Sequence, residues 1–166
     1  STARSSRIRG AVEMNNRTLN TYVHELHWHL PEETQQEAID YLIENAPLND
    51  LGQLFVLSSK PHWQNCMKVV DAIGYPYNIA AFPKMVELFQ DMNWPGAREI
   101  VDYFKTLDKQ IVVPFIEAGG KQAMKDNDDQ WLWFLYTVCK QLHIERAHFY
   151  DDTLFDVMEE IYARDA

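Results

Sequence analysis

Glu87-Leu88-Phe89-Gln90-Asp91-Met92-Asn93-Trp94-Pro95-Gly96-Ala97 holds a helix end, a turn and a helix start in one short run. Pro83 is placed to open a helix whose apolar positions are Met85, Val86, Leu88, Phe89 and Met92. Asn93-Trp94-Pro95 then turns the chain into a second helix, with Ile100, Val101, Phe104 and Leu107 inward. Asp91 or Asn93 supplies a cap for a helix starting at Trp94, and Pro95 suits its first turn. Trp94 is expected to lie mostly buried between two helical pairs, with Gln90 available to its indole N–H. Gly96 would let two helices approach closely.

The same punctuation recurs along the chain. His62-Trp63, Asn93-Trp94 and Gln130-Trp131 each stand where a helix begins, 31 and 37 residues apart. These spacings lie near the length of a helical-pair repeat. Such a unit cannot bury its apolar face alone, so neighbours stack into a shared core. The fold class predicted is all-α, a single compact domain of stacked antiparallel helical pairs over residues 14–166.

Helical periodicity fills most of the remaining chain. It predicts a helix over residues 16–30, from Leu19, Tyr22, Val23, Leu26 and Leu30. Pro31-Glu32-Glu33 opens the next, which ends near Asn45 and Pro47. A short helix covers Leu48 to Ser58, and Lys60-Pro61-His62-Trp63 begins one that Gly74 stops. Lys109 to Ala118 is helical around a kink at Pro114, and Gly119-Gly120 is expected to end it. Asp128 or Asp129 caps a helix carrying Trp131 to Leu142, and a last helix spans Asp152 to Arg164. No segment alternates with period two or carries a hairpin turn.

The balance of charge narrows the partners. The net charge of the 166 residues is −10. Residues 1–13 carry three arginines against one acid, and Met14 follows them. They are expected to be an expression scar or an upstream extension; without them the charge is −12. Such acidity repels nucleic acid and anionic membranes and favours basic protein partners. No apolar run is long enough to span a membrane and no signal peptide is visible, so a cytoplasmic location is expected. Cys66 and Cys139 stand in apolar, helical surroundings and suit reduced core thiols better than a disulfide framework.

Candidate chemistry is thin. His24, His27 and His29 cluster, and His24 and His27 would share a helix face as potential zinc ligands. The second histidine falls one residue early for His-Glu-x-x-His, however, and further ligands at suitable spacing are missing. Glu145-Arg-Ala-His148 has Glu-x-x-His spacing, but carboxylate-bridged metal bundles need two such motifs. Asp126-Asn127-Asp128-Asp129 lacks the spacing, glycine and terminal glutamate of a calcium loop. Phosphate loops, nucleophile elbows and Cys-x-x-Cys pairs are absent. No catalytic residue, metal site or cofactor is expected. A metal-dependent enzyme using His24, His27 or His148 is the alternative, and a generic helical scaffold for a basic partner is a third reading.

The stretch from Glu87 to Ala97 resembles the signature of a bacterial domain-of-unknown-function family with a QDMNWP core between helices. The similarity extends from about Lys60 to about Leu142 and takes in Val112-Val113-Pro114-Phe115-Ile116 and Asp126 to Trp131. The resemblance implies a HEAT-like helical repeat, and some such proteins are thought to be toxin-immunity proteins. It brings no catalytic residues. The expected function is therefore an immunity-type inhibitor of a cognate toxin, its partner a basic toxin domain. Asp91, Asn93, Asp126, Asp128 and Asp129 are the expected partner-binding residues, and Gln90, Trp94 and Pro95 the structural motif.

Overall fold

The computed structural model describes residues 16–165, whose regular elements are all helices and include no strand. Residues 1–13, expected to be a scar or extension, lie outside the described residues. The α-helices are α1 (Asn16–His24), α2 (Glu32–Asn45), α3 (Gln53–Val56), α4 (Lys60–Ile73) and α5 (Phe82–Glu87). They continue with α6 (Ala97–Phe104), α7 (Lys109–Lys125), α8 (Asp129–Gln141) and α9 (Asp152–Arg164). Contacts divide the chain into two compact units, one ending at Lys84 and the other beginning at Met85.

In the first unit α2 packs on α4 and on α1, and α3 packs on α4. Val23, Leu26, Ala38, Leu42, Cys66 and Val70 are sealed from solvent there. Glu32 and Glu33 begin α2 after Pro31, favoured by the positive end of the helix dipole. Ser59 and His62 start α4 with a reciprocal capping box, and Gly74, at φ 77°, closes it.

Two expectations fail in this unit. The helix predicted over residues 16–30 stops at His24. Leu26 is fully buried, Asn65 donates to its carbonyl at 2.7 Å, and Trp28 N–H donates to Pro61 O at 3.1 Å. These contacts draw the chain out of the helix. The run Leu48 to Ser58 divides into a 3-10 turn (Leu48–Asp50) and α3. The 3-10 turn packs on a second one (Ile79–Ala81), and the buried Gly52 lies against Lys84 and Ala80 O, where a Cβ would stand 3.0 Å from Lys84 Cγ.

In the second unit α7 packs on α8, α8 on α9, and α9 also touches α7. A 3-10 turn (Leu88–Gln90) leans on α8. Asp128 caps α8 by accepting from Trp131 N, and Asp151 caps α9 by accepting from Leu154 N. Because α7 and α8 are joined by a three-residue turn, they run antiparallel. Cys139 belongs to this core, as Cys66 does to the first. Both cysteines are free, and burial pushes each thiol up to about 12.

The Glu87–Ala97 stretch is arranged differently from its expectation. The helix begins at Ala97 and not at Trp94, with Gly96 at its N-cap in the left-handed region, φ 91°. A side chain is strained at that φ, which is why glycine stands there. Trp94 is half-buried and belongs to the turn before the helix, with Pro95. Asp91 accepts from Asn93 N at 2.8 Å, an Asx turn that shapes the loop and caps no helix.

Gly119-Gly120 does not end a helix. α7 runs through Pro114 and both glycines to Lys125. A Cβ at Gly119 would stand 2.6 Å from Val86 Cγ1 and 3.4 Å from Trp131 Cζ2, and one at Gly120 would stand 3.0 Å from Leu154 Cδ2. The pair therefore leaves room on α7 for Val86 of α5, Trp131 of α8 and Leu154 of α9. Gly119→Ala should destabilise the protein although alanine is the better helix former. Val86 is buried and stiff at χ1, so overpacking costs about 1–3 kcal/mol. Thermal melts should show a Tm several degrees lower, while the exposed control Gln122→Ala stays near wild type.

Candidate functional site

The residues expected to bind a partner are engaged in turn and cap geometry. Asp91 and Asn93 form the loop before α6. Asp126 follows α7 and accepts from Gln122 Nε2 at 3.0 Å, Asp128 caps α8, and Asp129 is exposed at the first position of α8. Asn127 holds φ 53° in the turn between them. No hydrogen bond or ion pair among the described residues joins the Asp91–Asn93 group to the Asp126–Asp129 group.

The histidines gather in another way than their spacing implies. His24 and His27 share no helix face, because α1 ends at His24. His62 of α4 comes to them instead, its ring centroid 6.3 Å from that of His24 and 5.1 Å from that of His27. His27 Nδ1 accepts from His29 N at 3.1 Å, and His62 Nδ1 accepts from Ser59 N at 3.3 Å. Burial, with His27 and His24 close by, holds His62 below its ordinary value. His148 is likewise occupied: its Nδ1 accepts from Glu145 N at 2.8 Å in a capping box over the 3-10 turn Arg146–His148. Among the described residues no three His, Cys, Asp or Glu side chains are grouped to hold a metal ion.

A different surface is built at the start of α9. Glu117 of α7 is buried, only 5% exposed. Its Oε1 accepts from Tyr150 N at 2.6 Å and its Oε2 from Asp151 N at 3.3 Å. The two amides that precede α9 are thus satisfied by one carboxylate on another helix. The Tyr150 side chain points outward and is 86% exposed. Arg146 grips Asp156 through two bonds of 2.8 and 3.1 Å and reaches Asp152 at 3.4 Å. That guanidinium holds the Asp156 carboxyl below the usual carboxylate range. Glu145 to Asp165 still carries seven acids against two arginines. The surface is thus a rigidly held, solvent-facing tyrosine at the head of an acidic helix. Sequence spacing gave no sign of it, because Glu117 lies 33 residues from Tyr150.

These features define a small all-helical protein whose conspicuous surface is acidic and aromatic. The chain belongs to the family described as a domain of unknown function, DUF5071, whose model matches residues 77–163. The match starts later than the Lys60 expected from resemblance and runs on through α9. No curated protein and no solved structure matches the chain significantly. No helix among the described residues is long and apolar enough to cross a membrane.

The histidine cluster sets a pH dependence. His62 binds its proton less readily folded than unfolded, so the unfolded chain takes up protons first as the pH falls. Stability from this group is present above about 6.5, the ordinary imidazole value, and is lost below it. Urea midpoints measured at pH 7.5 and 5.5 should therefore be lower in acid. His62→Asn keeps a cap acceptor without titrating and should narrow the difference. An equal acid loss in that variant would remove His62 as the cause.

Proposed function

We propose that this protein is a binding module, an immunity-type inhibitor that neutralises a cognate bacterial toxin by covering a basic surface of it. The observation that carries the reading is Tyr150, exposed to solvent while its own amide is held by the buried Glu117. An aromatic side chain on a fixed backbone loses little entropy on binding, and tyrosine is enriched among the residues that dominate interfaces. The carboxylates of α9 surround it with the charge that attracts a basic partner. Steering of this kind speeds encounter and is weakened by salt. In this reading the helical pairs act as a HEAT-like scaffold, and the Asp126–Asp129 turn adds further acidity.

The test begins with the toxin candidate encoded beside the gene. Co-expression should restore growth, and the two purified proteins should form a complex whose association slows as salt rises. Tyr150→Ala should weaken the complex by about tenfold or more, equivalent to about 1.4 kcal/mol, and leave Tm unchanged. Undiminished toxicity with the wild-type protein present would reject the proposal. Full protection by the Tyr150→Ala variant, at unchanged affinity, would reject the assigned surface.

A further inference from the structure

The second unit also carries a cleft of the opposite character. From Met85 to Asp165 acids outnumber bases sixteen to eight. Even so, a cavity of about 430 Å³ between the α6–α7 turn and the C-terminal end of α8 is lined by Lys105, Lys109 and His143 and by no carboxylate. Phe104, Val112 and Leu142 form its apolar walls. Three acids adjoin its lining in the chain and all are engaged: Glu145, next to Ile144, accepts from the His148 backbone in a capping box. Asp102 pairs with Lys105 at 3.7 Å, and Asp108 caps α7 by accepting from Gln110 N at 2.9 Å. Lys109 makes no ion pair among the described residues.

His143 is placed there at a conformational cost. It sits at φ 57°, one residue beyond the C-cap of α8. His143 N donates to Lys140 O and Ile144 N to Cys139 O, the paired bonds of a Schellman motif. Glycine is the usual occupant of that position, yet an imidazole stands there and faces the cleft beside two ammonium groups.

We propose that this cleft binds a small organic anion with an apolar body, an aliphatic carboxylate. The volume falls in the range of small-ligand sites, roughly 300–1,000 Å³. The lysines and the imidazole supply charge and donors for a carboxylate, and the walls exclude water from an alkyl chain. The inference is independent of the toxin-binding proposal and uses none of its residues.

Hexanoate is the probe and hexanamide, which has the same chain without the charge, is its control. Titration followed by amide NMR should give saturable shifts at Lys105, Lys109, His143 and Ile144. Hexanamide should bind about tenfold more weakly or worse. The double variant Lys105→Gln/Lys109→Gln should lose hexanoate binding by a similar factor with its Tm unchanged. Both side chains reach solvent, so the fold tolerates the change. Shifts that stay linear through the millimolar range, equal binding of hexanamide, or undiminished binding by the double variant would each overturn the assignment.

Discussion

Backbone polar groups that leave a helix and remain buried must find new partners, and in each unit a buried side chain from a distant helix supplies some of them. Asn65 does so in the first unit. Its amide donates to Leu26 O at 2.7 Å and to Gln35 Oε1 at 2.8 Å, and Gln35 in turn donates to Trp28 O and Leu30 O. That chain of bonds, with Trp28 N donating to Pro61 O, holds the turn between α1 and α2. Glu117 plays the same part in the second unit, fixing the start of α9 through Tyr150 and Asp151. Losing either would strand buried groups at a cost of about 1–3 kcal/mol each. The turn before α2 and the start of α9 therefore depend on polar residues distant in the chain.

Local signals in the sequence located the helices whose ends are decided locally. Pro31 with Glu32 and Glu33, Gly74, Asp128, and the Asp152–Arg164 span all agree with the structure. Errors fell where distant residues decide. Gly119 and Gly120 look like a helix stop because glycine is a poor helix former, but Val86 and Leu154 demand small residues inside α7. Leu19 to Leu30 keeps helical spacing, yet Asn65 and Pro61 pull its second half into turns. Gly96 reads in sequence as a close-approach residue, whereas its positive φ starts α6.

The candidate site was less legible than the fold for the same reason. A run of aspartates before a helix stands out by its density, yet Asp128 has a local use there as the cap of α8. His24, His27 and His29 stand close in sequence, but His62, which completes their cluster, lies 33 residues beyond His29. Tyr150 and Glu117 carry no motif. Their pairing exists only once α7 and the segment before α9 are side by side, so no window along the chain contains it. The same holds for Lys105, Lys109 and His143, which come from two separate turns.

The two cysteines have a use that follows from their burial. Each unit contains one, Cys66 or Cys139, and neither thiol is accessible in the folded chain. The thiolate is the reactive form, and it arises only when the surrounding helices part. An alkylating reagent therefore acts as a clock on local opening. Mass spectrometry that follows the two sites separately reads the breathing of α4 and of α8 within one sample. The protein is thereby equipped with an internal gauge of whether its halves loosen together or apart.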